Sequence, residues 1–129
     1  MIKIDPIIAV KDVEASSEWY EQVFGFERKY GGKDHFAVLL SNDQVVLCLH
    51  KWESDGHPTM TNTKITPGNG IILYFRVENM DAIRQNVKKT GVAVEEEVHL
   101  NPNSLRKEFS ILDPDGYYLT ITEFHNYAG

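Results

Sequence analysis

The chain has 129 residues, of which 42% are apolar and 25% charged, the proportions of an ordinary globular protein with one domain. Its net charge of −6, without any cluster of Lys and Arg, argues against a nucleic-acid partner or an anionic membrane surface. The apolar run at the start is too short for a signal peptide, and no segment approaches membrane-spanning length. Because one cysteine, Cys48, cannot form an internal disulfide, a cytoplasmic location is expected.

The first part of the chain is predicted to form a strand, a helix and three further strands. A strand is expected over Ile2–Val10, where Pro6 removes a ladder donor and favours an edge or bulged position. Asp12 is a good helix cap, and apolar residues at 3.6-residue spacing predict a helix over Asp12–Phe24, which ends near Gly25. Three strand candidates separated by turn residues follow: Phe26–Tyr30, His35–Leu40 and Val45–His50.

The last part of the chain repeats this order after an irregular segment. Lys51–Asn69 is rich in Gly, Pro, Thr and Asn and lacks apolar periodicity, so it is interpreted as a long connecting arm. A strand is then predicted over Gly70–Val77 and a helix over Asn79–Thr90. Three more strand candidates follow: Val92–Val98, Leu105–Leu112 and Tyr117–Phe124.

Two short segments repeat at a constant offset of 67 residues, from Val10 to Val77. Val-Lys-Asp-Val-Glu-Ala and Val-Glu-Asn-Met-Asp-Ala share a strand-ending Val, a capping residue, an apolar residue, an acid and an Ala. The repeat predicts an α+β fold of two tandem βαβββ modules. We expect one domain over residues 1–129, built of module 1–50, an arm 51–69 and module 70–129. The alternative is a single irregular α+β domain in which the similarity of the two segments is accidental.

Two further motifs connect this pattern with a known family. Residues 7–27, IIAVKDVEASSEWYEQVFGFE, give a strand, a capped helix, paired aromatics and Gly-Phe, and residues 110–124, SILDPDGYYLTITEF, place an Asp-Pro-Asp-Gly turn before the last strand. Together with the repeat, they resemble the glyoxalase/bleomycin-resistance/extradiol-dioxygenase family, also called vicinal oxygen chelate proteins. The resemblance covers essentially the whole chain. It implies that the two modules form a curved mixed sheet around a cleft, with the helices on the convex side.

Alternation along the strands then separates a core face from a cleft face. The core face is expected to include Ile4, Val45 and Leu105 among its members. The candidate ligand-binding residues on or beside the cleft are Asp5, Cys48, His50, Trp52, Tyr74, Arg76, Glu108, Tyr118 and Thr120. The two tyrosines are the most informative, since a solvent-facing strand would usually carry Lys, Glu or Thr.

Several of these residues have structural interpretations as well. Cys48 is more often a small buried hydrophobe than a nucleophile. Arg76 and Glu108 are either polar anchors for a ligand or a structural ion pair. Trp52 either covers the core or stacks on a ligand. The helix residues Trp19 and Tyr20 have core spacing, so they are interpreted as packing rather than ligand contacts.

The resemblance also implies where a metal would be held. Enzymes of the family bind a divalent metal through four cleft-facing positions, usually His, Glu or Gln, and the motifs place these positions here at Asp5, Cys48, Ile72 and Thr120. Ile72 cannot bind a metal and a Thr hydroxyl is a poor ligand, so fewer than the three ligands of a catalytic site remain. The other histidines offer no replacement, since His99, for example, is expected in a loop. We therefore expect no metal, no other cofactor and no catalytic residue.

Two functions from different classes follow from the resemblance. The first is a metal-free small-molecule binding protein, similar to the bleomycin-resistance branch, that sequesters an aromatic or cationic compound as a homodimer. The alternative is a metal-dependent lyase, isomerase or dioxygenase acting on a small oxygenated substrate. A third interpretation, a dimerisation or regulatory module, predicts a closed cleft without a guest.

Overall fold

The computed structural model describes residues 1–31, 34–52 and 57–126, which fall in two compact units, Met1–Pro67 and Gly68–Gly129. Each unit contains one βαβββ module with a four-stranded mixed sheet, so the predicted order of elements is confirmed in both. The boundary between the units falls inside the predicted arm. The grouping of both modules and the arm into one domain stays a prediction.

The first unit begins with the edge strand of its sheet. Its elements are β1 (Ile7–Val10), α1 (Val13–Phe24), β2 (Glu27–Tyr30), β3 (Phe36–Ser41), β4 (Gln44–Lys51) and a short 3-10 helix at Pro58–Met60. The strand order is β1-β4-β3-β2, with β1 parallel to β4 and the other pairs antiparallel. Pro6 lies directly before the edge strand, and its carbonyl accepts a hydrogen bond from the Cys48 amide at 2.8 Å. Pro6 thus lies outside the strand predicted over Ile2–Val10 and precedes an edge strand, where no donor is required of it.

The second unit repeats this topology. Its elements are β5 (Leu73–Val77), α2 (Met80–Thr90), β6 (Val94–Leu100), β7 (Lys107–Leu112) and β8 (Tyr118–Glu123). The strand order is β5-β8-β7-β6, again with one parallel pair, β5 and β8. No helix in the described part of the chain is long and apolar enough to span a membrane.

An aromatic cluster holds α1 in the first unit. Trp19 and Tyr20 are buried, as their spacing predicted, and their rings contact each other edge to face at 4.8 Å between centroids. Phe24 and Phe26 extend the cluster by stacking on each other and on the Tyr20 ring. Aromatic pairs stabilise a fold by more than the burial of their apolar surface alone, so this cluster anchors α1 to its sheet.

Three residues assigned to the core face are exposed instead: Ile4, Val45 and Leu105. Ile4 precedes β1, which begins only at Ile7. At Val45 the register between β3 and β4 shifts by one residue, which reverses the alternation on that side of the shift. Leu105 has a φ of 59° and lies in the turn before β7, outside the sheet. These three expectations were wrong because ideal alternation was extended past strand ends and a bulge.

The two helices begin 67 residues apart, as predicted, but their caps differ in strength. The Asp12 side chain accepts a hydrogen bond from the Ala15 amide at 3.0 Å, whereas Asn79 makes no side-chain cap bond. We expect Asp12→Ala to lower the free energy of unfolding by about 0.5–2 kcal/mol, because it removes the acceptor of an orphan helix donor. Asn79→Ala is the matched control and should lower the free energy of unfolding by only about a few tenths of a kcal/mol. Urea denaturation of both variants measures this, and equal losses would contradict it.

Candidate functional site

Cys48 and His50 lie on one face of the sheet in the first unit. Cys48 pairs with Ile7 in β1 and with Val38 in β3, so directly opposed side chains surround it with apolar groups. Burial, and secondarily the nearby carboxylate of Asp5, raise the pKa of the Cys48 thiol above its ordinary value. The thiol is therefore protonated at neutral pH and is a weak nucleophile and a weak metal ligand.

His50 is buried two residues further along β4. Its Nδ1 lies 2.8 Å from the Lys51 carbonyl oxygen, which can only accept, so Nδ1 carries the proton in this geometry. The ring meets those of Phe36 and His57 edge to face, with centroids 6.1 and 4.9 Å away. Trp52 follows, half-buried, with its amide donating to the Val10 carbonyl at 3.2 Å. The first unit thus brings Asp5, Cys48, His50 and Trp52 to the region where β4 runs beside β1.

The second unit gathers the remaining candidates on one face of its sheet. The central strand β8 lies between β5 and β7. Thr120 on β8 pairs with Tyr74 on β5 and with Ser110 on β7. Thr122 on β8 pairs with Arg76 on β5 and with Glu108 on β7. Because directly paired residues point to the same face, these six side chains share a surface. Tyr118 belongs to it by alternation along β8 and is half-buried.

The opposite face of this sheet forms the core against α2. Phe109, Ile111, Leu119 and Ile121 are fully buried there, and the guanidinium of Arg84, from α2, lies over the Phe109 ring at 5.7 Å. The polar side chains are thus separated from the apolar core by the backbone of the sheet itself. Burial of polar groups such as Ser110, Thr120 and Thr122 then requires hydrogen bonds on their own face.

These hydrogen bonds are present. The Ser110 and Thr120 hydroxyls lie 2.9 Å apart, and the Thr122 hydroxyl donates to the Lys107 carbonyl at 3.2 Å. Arg76 donates from its guanidinium to the His125 carbonyl at 2.7 Å and lies over the Phe124 ring, 5.4 Å from the centroid. The Arg76 side chain is therefore engaged with the segment that follows β8.

Glu108 is the centre of the polar face. Its side chain is only 10% exposed, and its Oε1 accepts hydrogen bonds from the Tyr74 hydroxyl at 3.2 Å and from the Asn101 side-chain amide at 2.8 Å. Tyr74 itself is 41% exposed, so it joins a buried carboxylate to a partly accessible aromatic ring. A carboxylate taken out of water requires such donors, because unpaired burial of its charge is costly.

Two residues beside Glu108 were not among the sequence candidates. Asn101 lies between the strands predicted over Val92–Val98 and Leu105–Leu112, and no sequence signal connected its amide with Glu108. His99 was expected in a loop and lies instead in β6, directly opposite Glu108, with Nε2 at 4.0 Å from Oε2. Two register shifts between β6 and β7 interrupt the alternation from which His99 would have been assigned to this face.

The residues at the four expected metal positions do not fit a metal ion. Ile72 offers no donor atom and is 60% exposed just before β5, and the Thr120 hydroxyl is bound to Ser110. Burial raises the pKa of the Cys48 thiol, which disfavours the thiolate form that binds a metal. Within residues 1–31, 34–52 and 57–126, no three His, Cys, Asp or Glu side chains form a group that could hold a metal. A catalytic site needs at least three protein ligands.

A separate cavity of about 510 Å³ opens at the start of α2 in the second unit, where Glu78, Asp81, Lys107, Glu123 and Phe124 contribute to its lining. None of Tyr74, Glu108 and Thr120 lines it. Its charged groups are of mixed sign, and the Lys107 amide already donates to the Glu123 carboxylate at 2.6 Å. The polar face around Glu108 is therefore the stronger candidate site, because its polar groups converge on one buried charge.

Comparison with known proteins agrees with the fold. The sequence model of the Glyoxalase/Bleomycin resistance protein/Dioxygenase superfamily matches residues 3–121. TioX from Micromonospora sp. ML1 is similar in structure, with a TM-score of 0.73 at 13% identity, over 95% of this chain and 100% of that one. No curated protein matches the sequence.

Two further solved structures bear names that describe an activity. The bleomycin resistance determinant encoded on transposon Tn5 has a TM-score of 0.66 at 14% identity, over 98% of this chain and 100% of its own. Lactoylglutathione lyase from Agrobacterium tumefaciens has a TM-score of 0.69 at 19% identity, over 95% and 92%. At these identities the similarity shows the fold, and the fold alone does not determine which function is present.

Proposed function

The chain belongs to the Glyoxalase/Bleomycin resistance protein/Dioxygenase superfamily, and from this premise we propose that it binds a small aromatic or cationic molecule without a metal. The observation that carries the proposal is the buried carboxylate of Glu108, held beside the partly exposed ring of Tyr74. A buried carboxylate attracts a positive charge, and an accessible ring face attracts an aromatic or cationic group.

The other polar-face residues extend the proposed contact surface. On the strand next to Tyr74, Tyr118 supplies a second aromatic ring, and Thr120 pairs directly with Tyr74 while its hydroxyl is bound to Ser110. Arg76 is proposed to set orientation at the end of the face, where Phe124 and the His125 carbonyl hold its guanidinium. Ligand sites commonly combine apolar or aromatic walls with a few such fixed polar groups.

The candidates in the first unit stay predictions for ligand binding. Asp5 carries the negative charge, His50 has a ring nitrogen positioned by the Lys51 carbonyl, and Trp52 is half-buried. Cys48 contributes apolar volume, because burial keeps its thiol protonated. The homodimer expected from the sequence is part of the proposal as well.

The named relatives include both a resistance determinant and a lyase, so the fold accommodates binding and catalysis. The metal-dependent alternative, a lyase, isomerase or dioxygenase, requires a donor set that Ile72 and Thr120 do not supply. A binding protein requires only the convergent polar and aromatic groups around Glu108. For this reason we propose the metal-free binder rather than the enzyme.

The proposal is tested by identifying and titrating a bound compound. Native mass spectrometry of purified protein detects a co-purified small molecule, whose affinity is then measured by calorimetry on wild type and Tyr74→Ala. Loss of a buried aromatic contact is worth about 1–3 kcal/mol, so Tyr74→Ala should weaken binding roughly 5- to 150-fold. Treatment with EDTA should leave the affinity unchanged.

Tyr30→Ala is the matched control, because Tyr30 is an exposed strand tyrosine in the first unit. It should bind the compound as wild type does. Loss of binding after chelation, with Tyr74→Ala behaving as wild type, would establish the metal-dependent alternative and reject the proposal.

A further inference from the structure

The two oxygens of the Glu108 carboxylate are not equivalent. Oε1 accepts from both the Tyr74 hydroxyl and the Asn101 amide. A carboxylate oxygen has two lone pairs, so these two donors occupy Oε1. Among the described residues, none donates a hydrogen bond to Oε2, and the basic group paired with it is His99, whose Nε2 lies 4.0 Å away.

Oε2 therefore differs from Oε1 in having no hydrogen-bond donor among the described residues. The polar face presents one acceptor atom without a hydrogen bond on a side chain that is otherwise nine-tenths buried.

Asn101 fixes this arrangement through the turn before β7. Its backbone amide donates to the Arg106 carbonyl at 2.9 Å, and its carbonyl accepts from the Leu105 amide at 2.8 Å. Its side-chain oxygen accepts from the amides of Asn103 and Ser104 at 2.8 and 3.2 Å. With the oxygen committed to the turn, the amide nitrogen has one orientation, in which it donates to Glu108.

The geometry points to a protonated amine as the group that Glu108 recognises, bound through Oε2 alone, with Asn101 as the residue that positions the carboxylate. This inference rests on the proposed function. Amidinium and guanidinium groups bind carboxylates best through two parallel N–H bonds, one to each oxygen. With Oε1 occupied, only one such bond can form. An ammonium group is a point charge and loses nothing by binding a single oxygen.

The test uses three probes that share a phenyl ring: benzylamine, benzamidine and benzyl alcohol. Amide resonances of β5, β7 and β8 are followed by NMR at pH 8, where both benzylamine and benzamidine are protonated. We expect benzylammonium to bind about fivefold or more tightly than benzamidinium, the effect of about one hydrogen bond. Benzyl alcohol should bind more weakly than either cation.

Three variants separate the contribution of the Glu108 charge from that of the two donors to Oε1. Glu108→Gln keeps the shape of the side chain and should remove the preference for cations over benzyl alcohol. Tyr74→Phe keeps the ring but frees one lone pair of Oε1, so the affinity for benzamidinium should rise. The preference for benzylammonium over benzamidinium should then disappear or reverse. Asn101→Ala should reduce the preference for benzylammonium over benzamidinium in the same way. If this substitution disrupts the turn, Tyr74→Phe still tests the inference.

Two outcomes would overturn the inference in distinguishable ways. If all three probes shift the face and Tyr74→Ala weakens them, but benzamidinium binds as well as benzylammonium, ligand binding stands and the single-oxygen recognition is wrong. If none of the probes shifts these resonances, the polar face is not a binding site for such compounds. The proposed function then fails at this face together with the inference.

Discussion

Replacing Phe109 by alanine is expected to lower the free energy of unfolding by about 3–5 kcal/mol, because it removes a large core side chain and leaves a cavity. Phe109 is fully buried in β7, between the sheet and α2, and pairs with Ile121 on β8. The guanidinium of Arg84 lies over its ring at 5.7 Å, so the substitution also removes a cation–π contact. Urea denaturation monitored by circular dichroism measures the change.

Phe124→Ala is the matched control for this prediction. Phe124 also carries an arginine over its ring, Arg76 at 5.4 Å, but it is 49% exposed. Removing this ring therefore exposes little additional apolar surface and leaves almost no cavity. We expect Phe124→Ala to lower the free energy of unfolding by about 1 kcal/mol or less. Comparable losses for the two variants would mean that the cation–π contacts, rather than burial, stabilise these positions.

Asp113→Ala is expected to cost about 2–4 kcal/mol of unfolding free energy, because it leaves two backbone donors without an acceptor. Asp113 is buried at the start of the Asp-Pro-Asp-Gly turn, and its Oδ1 accepts from the amides of Asp115 and Tyr117, both at 2.9 Å. The Tyr117 ring beyond the turn is buried as well, beside Gly68. Loss of the turn would therefore also loosen this contact.

Asp113→Asn separates hydrogen bonding from charge at the same position. The asparagine amide oxygen can accept both hydrogen bonds, so we expect this variant to lose much less stability than Asp113→Ala. Thermal unfolding of the two variants at neutral pH provides the comparison. If asparagine is as destabilising as alanine, the negative charge and not the turn geometry is what Asp113 contributes.

The helix starts and the turns were predicted correctly because they depend on local interactions, although Asn79 makes no side-chain cap bond. Asp12 caps α1 through an amide three residues away, and the Asp113 bonds span two and four residues. The hairpin between β3 and β4 has positive φ at Asn42 and Asp43, residue types that accept the left-handed conformation such a turn requires. Interactions of this range depend on residue types at fixed spacing, which the sequence contains.

The ends of the strands were predicted less well. Alternation assigned Ile4, Val45 and Leu105 to the core, but strand pairing starts late in β1, shifts at Leu39–Leu40, and begins after Leu105 in β7. A strand ends where its partner ceases to offer hydrogen bonds, and the partner is distant in sequence. Local pattern alone therefore gives the existence of a strand more reliably than its limits.

By itself the sequence determined that the chain contains two βαβββ modules, because caps, turns and apolar spacing recur at one offset and are local in their physical cause. It also identified Tyr74, Glu108 and Thr120 as members of a polar strand face, since alternation depends only on the pleat. Only the tertiary structure decided which of them touch. Tyr74 reaches Glu108 across 34 residues of sequence, and Asn101 reaches it by way of a turn. Strand register sets these contacts, and register depends on pairing between distant segments of the chain, which no local pattern fixes.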